Sequence, residues 1–355
     1  MVKLKKEQFN KKSQSNKSVG LVKVPDVYTE NIVIEPYDII EDYNYDGHTT
    51  KNYYRVDSSV FNSVFDEIRN NPDCSFITPY NDVVKEGYIP EKVSVLIKHT
   101  HHHVEERVTS QILNFYGVGC PVNLSVVGDD IFAIDANNLN VHNSDLRVRE
   151  ALANPTGFYS YTMSMDFMSH GETLETFAND GEQPLYFNSL AGSISRVKEK
   201  VAAILESRKY SQLSSAEKKK IAVKLEEDFV MSLLVRSTVC ADADFNTCNI
   251  GVLAGDDLKI INFDFEFSFG RGYNKGRSFE LLQAAHEKYP EVCSRFVEKS
   301  KELYNYIESC DYMEANRVFK NGRIFNPLKE NLNFVKNVAL ANFGIKYSLD
   351  SSKKM

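Results

Sequence analysis

The spacing of the apolar residues changes once along this chain, and that change limits the possible folds more than any other feature. In the first half, apolar and polar residues alternate in short runs such as 93–98 (VSVLIK), which predicts β-strands. After about residue 170 the apolar residues recur at helical spacing, and the rear segment 277–347 follows that pattern. Strands collected in one part and helices in the other predict an α+β fold with a seam near residue 165.

The seam divides the chain into units of different character. Its 355 residues are enough for two ordinary hydrophobic cores. We predict a mostly β unit at 20–165 and a helical unit at 166–348. The lysine-rich segment 1–19 lacks apolar periodicity and is expected to be a disordered basic tail, with a second tail at 349–355. The serines among its lysines leave a role as a phosphorylation segment open.

Local patterns predict the individual elements. Ser214 and Glu217 form a capping-box pattern, which predicts the start of a long helix that reaches about residue 238. Gly128-Asp129-Asp130 predicts a hairpin between strands at 122–127 and 131–134. Further strands are predicted at 22–24, 32–34, 93–98 and 160–168, and further helices at 59–70, 104–115 and 189–208.

Charge and cysteine content exclude several classes of protein. The net charge of −7 argues against binding to nucleic acid. No apolar run reaches the length of a membrane-spanning helix and none follows the first lysines, so we expect neither a membrane partner nor a secretory signal. The six cysteines are widely spaced without a C-x-x-C pair, which argues against zinc and disulfides. This favours a cytoplasmic protein, in a bacterial cytosol or delivered into a host cell.

One segment carries the strongest chemical signal. Residues 239–270 follow the long predicted helix and read VCADADFNTCNIGVLAGDDLKIINFDFEFSFG. Two short apolar strands flank the turn Gly255-Asp256-Asp257, with Asn249 before the first strand and Asp264 after the second. A hairpin therefore brings Asn249 and Asp264 to the same end, with Asp244 five residues before Asn249.

These three side chains suit metal–nucleotide chemistry. Magnesium prefers hard oxygen ligands and keeps several waters, so Asn249, Asp264 and nucleotide phosphates would suffice to hold it. Asp244 could then orient an attacking hydroxyl and accept its proton. The bare Asp-x4-Asn spacing is weak evidence, because it recurs at Asp26–Asn31 and Asp57–Asn62. Its position between a long helix and a hairpin that ends on aspartate favours the site, and a surface hairpin rich in Asp and Asn is the alternative.

An upstream lysine and glutamate match this chemistry. Lys98 ends an apolar strand, and a predicted helix with Glu105 and Glu106 begins directly afterwards. Phosphoryl-transfer sites use a strand lysine to neutralise phosphates and a helix glutamate to position that lysine. We favour Glu106, because at helical spacing it lies at the edge of the face formed by Val108 and Ile112.

These motifs resemble those of HipA-like bacterial serine/threonine kinases. ADADFNTCNIGVL followed by LKIINFDFEFSFG is similar to the catalytic region of that family. There, an Asp-bearing loop, an Asn five residues later and an apolar strand lead to an Asp before a Ser/Gly segment. Residues 105–123 resemble the Glu helix of the family, and residues 164–177 resemble the segment that links its two lobes. The resemblance covers about residues 98–290.

The resemblance implies a two-lobe protein-kinase fold and an ATP- and magnesium-dependent kinase. Asp244 would be the catalytic base, and Asn249 and Asp264 the magnesium ligands. Lys98 would contact the phosphates and pair with Glu106. The expected partners are ATP and a protein substrate, which includes the chain itself through autophosphorylation. The adenine would be flanked, mostly by backbone groups, at Met165, Asp166, Phe167 and Met168.

The sequence also departs from kinase patterns. Asp242-Ala243 stands in place of the His-Arg of eukaryotic kinases, and Phe265-Glu266 follows Asp264 in place of Phe-Gly. The nearest candidate for a glycine-rich phosphate loop is Gly47-His48-Thr49-Thr50-Lys51. The histidines at 99 and 101–103 are more consistent with a helix-start loop than with a metal site.

Three other functions remain open at this stage. A small-molecule kinase of the aminoglycoside or choline type shares the Asp–Asn–Asp order, but its usual His-Gly-Asp loop is missing. A pseudokinase would bind nucleotide or a partner without turnover, but it would normally have lost Asp244, Asn249 or Asp264. A structural binding protein without a nucleotide site is the third.

Overall fold

The α+β class predicted from the apolar spacing is confirmed. Most strands precede residue 177, and the long helices follow it. No helix among the described residues is both long enough and apolar enough to cross a membrane. A computed structural model describes residues 21–36, 51–129, 131, 159–179, 183–187, 189–270, 274–319 and 322–343.

Eleven strands occur within these described ranges, and six of them form the main sheet. The order in that sheet is β1-β7-β8-β5-β3-β2, antiparallel except for the β1–β7 pair. A second sheet has the order β11-β10-β9, and β4 pairs with β6. The strands are β1 Val27–Tyr28, β2 Ile34–Pro36, β3 Lys51–Asp57, β4 Phe76–Ile77, β5 Lys92–His99, β6 Cys120–Pro121, β7 Asn123–Gly128, β8 Tyr159–Met165, β9 Thr173–Thr176, β10 Ile250–Ala254 and β11 Leu258–Asn262.

The helices follow the predicted pattern closely. Ser214 accepts a hydrogen bond from the Glu217 backbone and Glu217 accepts one from Ser214, so the predicted capping box is present at the start of α5. A single π-helical turn, Val235–Val239, continues from α5 into the segment 239–270. The helices of the described ranges are α1 Asn62–Asn70, α2 Asn81–Lys85, α3 His103–Phe115, α4 Leu190–Glu206, α5 Ser215–Leu234, α6 Lys275–Lys288, α7 Pro290–Ser309, α8 Tyr312–Phe319 and α9 Gly322–Phe343.

Two predicted strands differ from the structure. Residues 22–24 are not a strand, because Gln111 and Arg107 of α3 donate hydrogen bonds to the carbonyl oxygens of Val22 (2.5 Å) and Val24 (2.8 Å). Side chains thus satisfy this backbone in place of a neighbouring strand. The strand predicted at 131–134 lies outside the described residues except for Ile131, and β7 pairs with β1 and β8.

One continuous hydrophobic core joins the main sheet to the helices. In β5 the residues Val93, Val95 and Ile97 are buried in alternation, as the period-two pattern predicts. In α3, Val108 and Ile112 are fully buried against the sheet. The same cluster of buried side chains continues into α5, α7 and α9. The sheet and the helical part are therefore held at a fixed distance, which a site between them requires.

A glycine marks the closest approach between the two parts. The carbonyl oxygen of Gly119 accepts a hydrogen bond from the backbone N–H of Asn262 at 2.9 Å. A Cβ at Gly119 would meet the carbonyl oxygen of Ile260 well inside contact distance and the Cδ1 of Ile77 at 2.8 Å. Only glycine permits this contact, so Gly119 fixes the hairpin β10–β11 against the turn that follows α3.

We expect Gly119→Ala to lower the free energy of unfolding by about 1–3 kcal/mol, because the backbone of β11 must move to admit a methyl group. Urea unfolding followed by circular dichroism would measure the loss. Gly192→Ala in α4 is the matched control, since its nearest neighbour is a side-chain oxygen of Ser189 at 3.2 Å. Equal stability of Gly119→Ala and the wild type would contradict the close approach.

Candidate active site

Lys98 lies at the centre of the candidate site. It stands near the end of β5, and α3 begins four residues after that strand at His103. Its Nζ lies 2.7 Å from Glu106 Oε1 and 2.9 Å from Asp264 Oδ1. The structure therefore brings together a strand residue, a helix residue and a residue beyond the hairpin that are up to 166 positions apart.

A third carboxylate also faces this ammonium group. Glu266 Oε1 lies 3.1 Å from Lys98 Nζ, in ion-pair contact but without hydrogen-bond geometry. In the sequence, Glu266 is recognisable only as a departure from the kinase pattern. The negative charge of Glu266 two residues after Asp264 was the signal that could have placed it in the site. Its contact with Lys98, however, depends on the turn after β11.

The ionic environment fixes the charge of these groups. Burial disfavours the charged form of Lys98, but the carboxylates of Glu106, Asp264 and Glu266 outweigh it and raise the pKa of Lys98. Burial raises the pKa of Glu106, although Lys98 acts in the opposite direction. Burial also acts to raise the pKa of Asp264, but Lys98 prevails and lowers it. At neutral pH Lys98 is a cation and Asp264 is an anion.

Glu106 connects the helix to the segment after the hairpin. Its Oε2 accepts a hydrogen bond from the backbone N–H of Phe265 at 3.0 Å, and Asn123 of β7 lies at 3.4 Å from the same oxygen. Glu106 is 3% exposed, whereas Glu105 forms a contact with His102. The choice of Glu106 as the partner of Lys98 thus agrees with the geometry.

Asp244 lies in a loop that holds its carboxylate with several donors. Oδ1 accepts from Asn246 Nδ2 at 3.1 Å and from the Tyr186 hydroxyl at 3.3 Å. Oδ2 accepts from Asn249 Nδ2 at 3.2 Å. The backbone N–H of Asp244 donates to Asp242 Oδ1 at 3.0 Å. The carboxylate of Asp244 therefore has a defined orientation before any substrate binds.

Arg236 organises the site and was not identified from the sequence. Its guanidinium group is fully buried and pairs with Asp242, with Nε and Nη2 at 2.8 and 2.5 Å from Oδ2. It also donates to the carbonyl oxygens of Asn249 at 2.7 Å and Asp264 at 2.9 Å. The rings of Phe245 and Phe265 lie 4.3 and 4.9 Å from its central carbon. An arginine within the apolar run VMSLLVRSTVC was the signal that could have revealed it.

Strained backbone occurs in the same segment. Ala241 and Asp264 have φ angles of 48° and 58°, in the left-handed region that residues with side chains rarely adopt. Such conformations persist only where surrounding contacts enforce them. Here the guanidinium group of Arg236 donates a hydrogen bond to the carbonyl oxygen of Asp264. The backbone carbonyl oxygen of Arg236 accepts one from the N–H of Asp242 at 2.9 Å. The side chain of Asp264, the more C-terminal of the two strained residues, contacts Lys98 at 2.9 Å.

Asn249 and Asp264 fit the requirements of a magnesium ion coordinated mainly by phosphates and water. The amide nitrogen of Asn249 is occupied by Asp244, which leaves its oxygen as the metal-binding atom. Asp264 uses Oδ1 for Lys98, and its side chain is 45% exposed. Within the described residues there is no cluster of three or more His, Cys, Asp or Glu side chains suited to a metal. Two protein ligands are what magnesium in a nucleotide site needs.

The predicted adenine segment connects β8 to β9. The backbone N–H groups of Met165, Asp166 and Met168 already donate to Val122, Ser94 and the Asp166 side chain. The ring of Phe167 stacks on Phe263 at 6.4 Å, just before Asp264. The segment thus lies beside the hairpin end, but adenine recognition there would depend on groups other than these three N–H donors.

The remaining predicted features have separate outcomes. Residues 47–50 of the candidate phosphate loop lie outside the described residues, and Lys51 begins β3 directly opposite Lys98 in the sheet register. His99 is buried against Tyr159 and Tyr161 at ring distances of 5.5 and 5.2 Å.

We expect Arg236→Met to destabilise the protein by about 3–5 kcal/mol, because the Asp242 carboxylate would remain buried without its cationic partner. Thermal and urea unfolding would measure the loss. Arg317→Met is the matched control, since Arg317 pairs with Glu314 but its side chain is 50% exposed and such pairs contribute less than about 1 kcal/mol. Similar losses in both variants would contradict the organising role of Arg236.

We expect Lys98→Met to give a pH-dependent loss of stability. Without the ammonium group, the pKa values of Glu106 and Asp264 would rise, so the native state would bind protons more readily than the unfolded state. At pH 8 the free energy of unfolding of Lys98→Met should be about 3 kcal/mol lower than that of the wild type. This difference should shrink as the pH falls toward about 5. Urea unfolding at several pH values would show this.

Lys92→Met is the control for that series. Lys92 lies on the same strand and pairs with Glu35, whose side chain is 47% exposed. Lys92→Met should lower the free energy of unfolding by less than about 1 kcal/mol at every pH. A deficit of Lys98→Met that does not change with pH would contradict the proposed coupling among these charges.

Comparison with known proteins adds little to this geometry. Protein-family models and curated proteins give no match to the sequence, so membership of the HipA-like family stays a prediction. Among solved structures, a Helicobacter pylori proinflammatory kinase, CtkA, matches with a TM-score of 0.38 and 12% identity. The match covers 69% of this chain and 87% of that one.

Proposed function

We propose that this chain is an ATP- and magnesium-dependent phosphotransferase. The observation that carries the proposal is the contact of Lys98 with both Glu106 and Asp264. Asn249 precedes the first strand of the hairpin and Asp264 follows the second, so both lie at its open end, and Asn249 donates to Asp244. A strand lysine, a helix glutamate and an Asp–Asn–Asp set in this order are the parts of a protein-kinase site.

The chemistry assigned to Asp244 is general base catalysis. Asn246 and Asn249 fix its two carboxylate oxygens, so it can orient an incoming hydroxyl with little reorganisation. As the hydroxyl oxygen attacks the terminal phosphorus of ATP, its proton passes to Asp244 and the bond to ADP breaks.

The charges around Lys98 suit the phosphates of ATP. Lys98 remains a cation because of its three carboxylate neighbours. Phosphate oxygens that enter the site could take the place of one of these carboxylates beside the Lys98 ammonium group. Asp264 is the carboxylate best suited to be released, because it is the most exposed of the three. Its oxygens, with that of Asn249, would hold magnesium, which when bound neutralises charge on the phosphates.

The finer form of the proposal is a serine/threonine protein kinase of HipA-like type that can phosphorylate itself. It is supported by the sequence resemblance over residues 98–290 and by the pairing of Lys98 with Glu106. In this form residues 20–165 are the N-lobe, residues 166–348 the C-lobe, and residues 165–168 the adenine-binding segment. All six cysteines are unpaired, which supports action in a reducing cytosol.

We expect Asp244→Asn to lower phosphate transfer from labelled ATP to protein by about 10²–10⁴-fold, because the variant lacks the general base. Asp264→Asn should lose both transfer and the rise in melting temperature caused by ATP with magnesium. Asp257→Asn is the matched control, since it makes the same change at an exposed position in the turn of the same hairpin. Gel electrophoresis, mass spectrometry and thermal shift are the measurements.

The outcomes separate the alternatives. Label on protein Ser or Thr in the wild type supports a protein kinase. An ATP-dependent thermal shift without label on protein points to a small-molecule kinase or a pseudokinase, and phosphate transfer to aminoglycosides or choline tells these two apart. The absence of both label and thermal shift contradicts the nucleotide site.

A further inference from the structure

A short exposed segment lies directly on the loop that carries Asp244. Tyr186 forms an antiparallel bridge with Asn246. Leu185 is bonded twice to Thr247, whose N–H donates to the Leu185 carbonyl at 3.0 Å and whose Oγ1 accepts from the Leu185 N–H at 3.1 Å. The backbone at Tyr186 therefore has a fixed position relative to the candidate catalytic loop.

The residue after Tyr186 anchors this segment in the core. Phe187 is 3% exposed, and its ring lies 5.2 Å from that of Phe229 and 4.9 Å from that of Phe245. Arg277 of α6 donates a hydrogen bond to the Phe187 carbonyl oxygen. Residues 185–187 are thus held both by the loop and by the helical part.

The Tyr186 side chain points its hydroxyl at the candidate base. The hydroxyl donates to Asp244 Oδ1 at 3.3 Å, while Oδ2 of the same carboxylate accepts from Asn249, a proposed magnesium ligand. The negative charge of Asp244 raises the pKa of Tyr186, so the hydroxyl keeps its proton at neutral pH. Tyr186 is 51% exposed, which leaves room for a phosphate group on its oxygen.

We propose that Tyr186 is a self-phosphorylation site whose hydroxyl occupies the acceptor position of this active centre. The proposal rests on the proposed phosphotransferase function. In the step, the tyrosine oxygen forms a bond to the γ-phosphorus of ATP, the bond from that phosphorus to the leaving oxygen of ADP breaks, and Asp244 takes the phenolic proton. The products are phosphotyrosine at 186 and ADP.

An acceptor within the chain needs no selection by a substrate pocket. Its effective concentration is set by the fixed backbone at 185–187, so a tyrosine can react in cis even where separate substrates offer Ser or Thr. The product adds about −1.5 to −2 charge beside Asp244. The single hydroxyl of Tyr186 takes one phosphate, and repulsion would then drive the modified ring away from Asp244 and free the acceptor position.

The test is incubation of the full chain with labelled ATP and magnesium, followed by mass spectrometry of the peptide that contains residue 186. We expect phosphotyrosine at Tyr186 with a first-order rate that does not change when the protein is diluted tenfold. Tyr186→Phe should lose the phosphotyrosine signal. Tyr88→Phe should retain it, and this control removes the hydroxyl of an even more exposed tyrosine, at 66% exposure.

Transfer to an added general acceptor, dephosphorylated casein, keeps the two proposals distinguishable. If casein is labelled by the wild type but Tyr186 carries no phosphate, the self-phosphorylation site is wrong and the phosphotransferase stands. A rate at Tyr186 that falls with dilution would also overturn the proposal, since it would mean transfer between chains. If neither casein nor any residue of the chain is labelled, both proposals fail together.

Discussion

The buried ion pair between Arg236 and Asp242 is the interaction on which the rest of the site depends. Arg236 also donates to the carbonyl oxygens of Asn249 and Asp264, so one guanidinium group holds both chain segments at the open end of the hairpin β10–β11. A fully buried charge destabilises the folded state unless it is paired and hydrogen-bonded. The ion pair with Asp242 and the hydrogen bonds to the two carbonyl oxygens meet this requirement for Arg236. The same contacts hold Asp264 in a left-handed backbone conformation. A fully buried residue thus determines the backbone conformation at Asp264.

A second set of charges joins the sheet to this hairpin. Lys98 lies among Glu106, Asp264 and Glu266, and Glu106 also accepts the N–H of Phe265. Three carboxylates around one ammonium leave an excess of negative charge, which a cation bound with a nucleotide could offset. In the proposed function, phosphate oxygens would replace carboxylates around Lys98. On the acceptor side, the Tyr186 hydroxyl donates a hydrogen bond to Asp244. A hydroxyl of the protein thus occupies the position that the proposed function assigns to the hydroxyl of a substrate.

The placement of residues on adjacent elements of the chain was predictable from their local spacing. The alternation in 93–98 and the helical spacing after it placed Lys98 and Glu106 on adjacent elements, and the turn at Gly255-Asp256-Asp257 placed Asn249 and Asp264 at one end of a hairpin. The roles of Lys98, Glu106, Asp244, Asn249 and Asp264 and the adenine segment stay predictions, as do the unit boundaries at 165 and 348. Residues 22–24 were assigned wrongly because alternation alone does not reveal that Gln111 and Arg107 satisfy their carbonyl oxygens.

The α+β class, the long helices and the hairpin that carries the acidic residues follow from the sequence alone, because periodicity and turn chemistry are local properties of the chain. Tertiary structure decided which distant groups meet. The pairing of Arg236 with the hairpin carbonyls, the contact of Glu266 with Lys98 and the position of Tyr186 on Asp244 depend on how the helical part packs against the sheet. No residue spacing encodes these contacts, since they arise from burial of one continuous core and from the close approach at Gly119.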